Sequence, residues 1–525
     1  MSYIGQRAKI PLGELGLMTD VAPDKMPPNA LIKATCIAFS NGAVQKAPGD
    51  LKWNASALPA GLVAVHQWKP TPNVERMMAV TSTGSVYKGQ DRQFGTAINT
   101  TLASTLTPNC HFVEGGAETA GRDRKLFFYT DGQSNPYVLE ADGPAFATIS
   151  LPSNDWVTPN FPRCGVIHRN RHWAFAGQIS YASDSGNHEN FRTSSLTEPV
   201  YPGEGGEIRG AFVFKGRLLV FKDGGFTYML NDESVDENEW YWQKIASNFG
   251  LAAPNAVDEV LNDLIAGNNS GTLTSYAATE KLGSVEAADL IQAMQFESYL
   301  RGNTSKVGVP FQHVLYYSEK KLLFMTYRSA YYTYNDMMVV IDFGRTEAYR
   351  ASFWKKGSPQ CLALYTDVNQ IERPMYGDKD GFLYLMDHED RLVGSTAYAG
   401  EFQIPHLDFS HMDPVLSAVN KHFDFLAVHY IPEGAGNLSC DYFIDGRYID
   451  TITFPMVQYE RPELNTLLLS TDRLAQPNEE TSIRKLKGTG RTFSAKFYNS
   501  GSNQSFQIPA ITVYFRPGGD KAQKV

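Results

Sequence analysis

The sequence is short of cysteine, of long apolar runs and of positive charge, and each shortage closes off a class of protein. Its five cysteines, Cys36, Cys110, Cys164, Cys361 and Cys440, lie far apart and form no CxxC pair. That spacing suits neither a disulfide framework nor a zinc cluster; it suits buried free thiols in a chain made in a reducing cytoplasm. No stretch holds eighteen consecutive apolar residues, so no membrane span is expected. The opening MSYIGQRAKIPLGELGL lacks a charged region followed by an apolar core, so no signal peptide is expected. Lys and Arg number 47 against 56 Asp and Glu, a net charge of −9. A protein that holds DNA by neutralising phosphates needs a basic face, which this balance does not favour. An acidic wall that DNA slides past is compatible with it, because such a wall repels phosphate.

Catalytic signatures are also missing. There is no GxSxG elbow, P-loop, HExxH or metal-type Cys/His cluster. The expectation is therefore no enzyme, with no catalytic, cofactor-binding or metal residues and no cofactor. His168 and His172 flank a turn with Arg169 and Arg171 between them, and those cations oppose metal binding; they read as ordinary surface or interface histidines. Asp378-Lys379-Asp380-Gly381 resembles the start of a calcium loop but lacks the later acidic ligand, so an Asx-type turn is expected.

What the chain does have is aromatics, 12% of residues, with 44 Gly and 28 Pro spread along its length. Aromatic strands interrupted by turn formers indicate an all-β protein. The first 30 residues read as an extended arm, because Pro11, Pro23, Pro27 and Pro28 forbid a long helix. A hairpin follows through Ser40-Asn41-Gly42. Short meanders then recur, the clearest from Ile208 to Leu230, with turns at Lys215-Gly216 and Asp223-Gly224-Gly225. Units of about 40 to 50 residues suit the blades of a β-propeller, here over 31–390; a stack of β-sandwiches is the alternative architecture. One helix is expected near 284–301, capped by Ser284. From about 391 to 517 the strands lengthen and alternate like those of a β-sandwich, a platform or docking domain. Residues 518–525 read as a disordered tail. The loop after the clearest unit, NDESVDENEWYW, carries Asp232, Glu233, Asp236, Glu237 and Glu239. It reads as a solvated acidic loop, or as one that lines a channel or meets a partner; a glycosidase carboxylate pair is a more remote alternative.

Five segments occur in a telling order. The run LGELGLMTDVAPDKMPPNALIKATCIAFSNGAVQKAPGD puts a Pro-rich arm before a Gly hairpin and Lys46-Ala47-Pro48-Gly49. HRNRHWAFAGQISYASDSGNHENF, GEIRGAFVFKGRLLVFKDGGFTYML, VLYYSEKKLLFMTYR with VVIDF and Trp354, and GDKDGFLYLMD follow. Over roughly residues 10 to 390 this order resembles the tail nozzle (tail hub) proteins of short-tailed bacteriophages, which include packaged-DNA stabilisation proteins. Cys36 stands where such openings often carry Asn. The resemblance implies a structural subunit of the virion tail and a homo-oligomer, a hexameric ring below the portal and the adaptor (head-tail connector) protein. That ring retains packaged double-stranded DNA and channels its ejection without sequence-specific binding, with tail fibres or spikes attached nearby. A receptor- or glycan-binding tail protein, or less so a propeller glycosidase, is the alternative.

Overall fold

A computed structural model of the chain describes residues 5–22, 25–40, 42–71, 74–100, 102–103, 105–116, 124–149, 151, 155–191, 196–247, 249–278, 289–345, 349–431, 436–456, 479–502 and 504–518. It is an all-β protein containing a β-propeller. Six blades are four-stranded, and a three-stranded sheet stands among them. The first four blades fill 62–99, 111–148, 164–191 and 208–247. The three-stranded sheet spans 257–275, the fifth blade 314–354 and the sixth 359–388. Each is a meander of antiparallel neighbours. Turn chemistry sets the hairpins. Lys215 and Gly216 both have positive φ (50° and 75°), as do Arg169 and Asn170 (51° and 56°), the geometry that matches strand twist. Leu261 and Asn262 do the same (50° and 68°) with no glycine to announce it.

The sixth blade is completed from the other end of the chain. Its strands Pro359–Thr366, Glu372–Asp378 and Leu383–His388 are joined at the rim by Gly49–Lys52, with Leu385 opposite Leu51 and Tyr384 opposite Lys52. A buried ion pair pins this closing strand. Lys356 Nζ donates to Asp50 Oδ1 at 2.6 Å and to the Pro48 carbonyl, and both charged side chains have no exposure. Tyr376 donates its hydroxyl to Asp50 Oδ2 at 3.2 Å, and the ammonium lies 4.5 Å from the centre of the Trp354 ring. Burial pushes the Asp50 carboxyl up, while Lys356 and Tyr376 pull it back. Gly49 fits only because it has no side chain: a Cβ there would stand 2.6 Å from the Leu392 carbonyl oxygen.

The same N-terminal stretch builds the second domain, and here the structure corrects the boundaries read from sequence. Hairpin Ile37–Ser40/Ala43–Lys46 is not a blade. It pairs with Gln507–Pro517, Val44 opposite Ile508, in a seven-stranded sheet with Lys421–Ile431 and Glu480–Lys485. The arm is not merely extended either: Gln6–Pro11 is a strand that continues the hairpin's edge of Gln507–Pro517, from Gln6 opposite Phe515 to Pro11 opposite Ala510. It pairs there because Ala8 and Ile10 alternate into the core. A nine-stranded sheet faces this one. It begins as the fifth blade and passes through Lys33–Thr35 into Gly400–Gln403, Phe493–Asn499, Gly436–Ile444 and Arg447–Met456. Phe423, Leu426 and Val428 of the first sheet share one core with Cys440, Tyr442, Phe493 and Phe497 of the second. The sandwich therefore draws strands from both chain ends.

Over its described residues, 289–301, the expected helix is broken in two. Asp289 caps Leu290–Ala293, accepting from the amides of Ile291 (2.9 Å) and Gln292 (3.1 Å). Gln295 at φ 58° then breaks the path before Glu297–Asn303. Ser284 and residues 519–525 of the expected tail lie outside the described residues. Among the described residues, no helix is long and apolar enough to cross a membrane.

Removing one member of a buried pair strands the other's charge, at a cost of about 3–5 kcal/mol. Asp50→Asn is expected to lower urea stability by that order. Asp50→Leu with Lys356→Met is expected to recover most of the loss. Equal losses in the single and double variants would show that the pair does not hold the closing strand.

Candidate functional site

The acidic loop joins Phe226–Asn231 to Tyr241–Ser247, the two outer strands of the fourth blade. Its carboxylates are largely spent within the chain. Asp232 is only 6% exposed and receives Arg169 Nε at 2.8 Å and His168 Nε2 at 2.6 Å. Burial pushes its carboxyl up, but the hydrogen bonds from Arg169 and His168 outweigh burial and hold it below the usual range. His168 moves down as well, because its own burial outweighs the pull of Asp232. The two shifts agree if Arg169 supplies the charge and a neutral His168 donates its Nε2 proton. Glu237 takes a two-pronged bond from Arg171, with 2.6 Å to Oε2. Asp236 caps the short turn Glu237–Glu239 by accepting from the Asn238 amide at 3.0 Å. Glu239 accepts from the Ser234 hydroxyl at 2.6 Å. Glu233 meets Arg217 at 3.5 Å in solvent.

The loop is thus a clamp on the 168–171 turn of the third blade. The structure brings Asp232 and Glu237 together with Arg169 and Arg171, while Glu233, Asp236 and Glu239 stay on the surface. None of the five lines the central cavity. The two histidines are not surface residues. His172 has no exposure: Nδ1 donates to the His188 carbonyl at 3.0 Å, and Nε2 accepts from the Tyr129 hydroxyl at 2.6 Å. Asp378 forms the expected Asx turn, accepting from the amides of Asp380 (2.9 Å) and Phe382 (2.8 Å).

The central cavity, about 650 Å³, is walled by the innermost strand of every blade and of the three-stranded sheet. Its titratable lining includes Cys110, Cys164, Cys361, His66, His111, His313 and Asp258. The start of the second blade is bonded to residues that lead into the three-stranded sheet and the fifth blade. There Asn255 donates Nδ2 to the carbonyls of Pro108 (3.2 Å) and Cys110 (3.1 Å), and His313 bonds the same Pro108 carbonyl. These bonds tie opposite blades across the axis. A duplex whose major groove alone is about 12 Å wide cannot pass through such a space.

The chemistry of the cavity is muted. Burial holds His111 and His313 down to about 4, so both are neutral at pH 7. Burial pushes the Cys361 thiol up to about 12 and those of Cys110 and Cys164 higher still, which removes the thiolate that nucleophilic or metal-binding cysteines require. Among the described residues, no three His, Cys, Asp or Glu side chains are placed to hold a metal ion.

No family model and no curated protein matches the sequence. Solved structures that align with part of this chain include YCF48 from Cyanidioschyzon merolae, at 13% identity and a TM-score of 0.41, over 65% of this chain and 98% of that one. The computationally designed Ika8 protein aligns at 10% identity and 0.36, over 64% and 99%. PorZ of the type-IX secretion system of Porphyromonas gingivalis aligns at 12% identity and 0.39, over 65% and 38%.

Sequence reasoning missed the Asp50–Lys356 pair and the tyrosine-bearing turn at 331–334. The signals were present, as Asp50 just after Pro48-Gly49, as Lys356 just after Trp354 and as the run SAYYTYND, but nothing in one sequence says which distant element each meets.

Buried neutral histidines make the protein acid-sensitive. The unfolded imidazoles take protons near pH 6.5. The folded ones resist to about 4 at His111 and His313 and about 3 at His172. The unfolded state therefore binds more protons below pH 6.5, and stability present above that pH is lost as pH falls toward 4. Each histidine adds a slope of about 1.4 kcal/mol per pH unit. His172→Gln is expected to flatten the urea-stability profile between pH 6 and 4.5 by about that slope; parallel profiles would contradict it.

Proposed function

We propose that this chain is a structural, non-catalytic subunit of a phage tail nozzle, a ring below the portal and adaptor that retains packaged DNA and forms its exit channel. What supports the reading is the ordered set of five segments, from the Pro-rich arm to GDKDGFLYLMD, which resembles that of the nozzle family.

Three physical features support it. A propeller whose axis is tied shut makes a solid wall, so DNA would run between subunits and not through one. The net charge of −9 favours release of phosphate over grip. The continuous nine-stranded sheet joins blade to sandwich without a hinge, which suits a part that bears load from the pressurised head. In this reading the sandwich meets the adaptor and the propellers surround the channel, with tail fibres or spikes attached nearby.

The purified protein, alone or with the adaptor, is expected to form rings of six copies by mass photometry and electron microscopy, and to be present in tailed particles. A protein that stays monomeric with the adaptor and is absent from particles would overturn the proposal. The channel's salt response gives a second check. Duplex DNA should not be retained on the isolated ring at 150 mM salt, about the physiological strength; tight, salt-sensitive retention would contradict an acidic wall.

A further inference from the structure

The seven-stranded sheet turns one face to the sandwich core and the other outward, and its register lays out the outer face row by row. Arg7 stands opposite Tyr514, Tyr514 opposite Phe425, and Phe425 opposite Lys485. The next row on that face is Lys9, Thr512, Ala427 and Ile483. Their strand neighbours Ala8, Val513 and Leu426 point the other way, into the core. Phe425 is 44% exposed and Ile483 49%, with Arg7, Lys9 and Lys485 exposed around them. Large apolar side chains on the solvent side of a sheet do not serve the core; rimmed by charge, they mark a contact surface.

The charge left over on this face is positive. Its carboxylates are matched from within: Asp424 by Arg516 at 2.6 Å, and Glu479 by His429 at 3.1 Å and Lys9 at 3.9 Å. Among the described residues, Arg7 and Lys485 have no ion-pair partner.

A chain of net charge −9 carries the counterpart itself. At the tip of the 232–239 loop Val235 is fully exposed, with Glu233, Asp236 and Glu239 exposed around it and Tyr241, 52% exposed, at its base. The tip is held in shape before any partner arrives, by Trp240 Nε1 donating to the Ser234 carbonyl at 2.9 Å and by the Asp232 clamp. An apolar residue among carboxylates on a rigid projection complements apolar residues among cations on a flat face. The two do not meet within one chain. Among the described residues, no hydrogen bond or ion pair joins the loop to the sandwich; its bonds outside its own blade go to His168, Arg169 and Arg171.

We propose that the outer face of this sheet docks the acidic loop of a second copy of the chain. Val235 packs against Phe425 and Ile483, and Glu233, Asp236 and Glu239 face Arg7, Lys9 and Lys485. Two different surfaces meet, so the contact is head-to-tail. Each copy in an assembly offers a loop to one neighbour and a face to the other, and the series closes into a ring or runs on as a filament. The inference stands on these two surfaces and not on the nozzle reading, which does not say where copies touch.

The test follows self-association of the full chain by mass photometry and sedimentation velocity. Association is expected, and it should weaken as salt rises from about 50 to 500 mM, because charges at an interface rim are screened. Arg7→Glu with Lys485→Glu should weaken it about tenfold or more, since like charges then face each other. Glu233→Lys with Glu239→Lys should do the same, and Phe425→Ala should weaken it several-fold. An equimolar mixture of the two charge-reversed proteins should associate again, because each reversed face then meets a reversed loop. Melting temperatures should hold, as these side chains lie at the surface. A chain that stays monomeric at every concentration tested would overturn the proposal. So would association that ignores the reversals, or that mixing fails to restore. Rings of six on the adaptor that ignore the reversals would overturn this interface and leave the nozzle reading standing. Reversal-sensitive association in a protein absent from tailed particles would support the interface and overturn the nozzle reading.

Discussion

One short strand holds the molecule together. Gly49–Lys52 closes the propeller by joining a blade built more than three hundred residues later, and the Asp50–Lys356 pair fixes it there. An ion pair out of reach of water is an expensive way to gain stability, because both groups lose hydration. What it does supply is register. Asp50 can satisfy its charge only when Lys356, Tyr376 and the strand itself are all in place, so a slipped closure leaves a buried charge unpaired. Lys46, four residues earlier, is a second buried cation, on the sandwich side, bonded to neutral oxygens and not to a carboxylate. It is fully buried, donates to the Gly501 carbonyl at 3.1 Å and is pushed down to about 8 by burial.

That arrangement makes two domains into one body. The chain enters as a sandwich strand, forms the sandwich hairpin, crosses to close the propeller and only then lays down the first blade. The fifth blade reaches the sandwich again through Lys33–Thr35. With the axis bridged by Pro108, Asn255 and His313, the propeller interior serves cohesion. Exposed features are left at the periphery: Glu233, Asp236 and Glu239 of the acidic loop, and Tyr331 and Tyr332.

Much of the fold was legible because hairpins are local. Lys215-Gly216, Arg169-Asn170 and the apolar run Leu218–Phe221 announce themselves within ten residues. Closure was not, because Gly49–Lys52 looks like any short strand and its partner lies far along the chain. The arm misled for a related reason: its prolines exclude helix, yet Ala8 and Ile10 gain a core only against Ile511 and Val513. The acidic loop was placed correctly as a loop. Its role turned on arginines in another blade, since Asp232 and Glu237 look free in sequence and are neutralised in space. The helix expectation failed at Gln295, where local periodicity lost to the packing of Phe296 and Leu300 in the core.

Native-state hydrogen exchange tests the central claim most directly. If the closing strand locks propeller and sandwich into one cooperative unit, the amides of Leu51 and Lys52 should exchange only as fast as those of Val428 and Ile511 in the sandwich core, by global unfolding. Exchange of the closing strand through a separate, lower-energy opening, with the sandwich still protected, would contradict it.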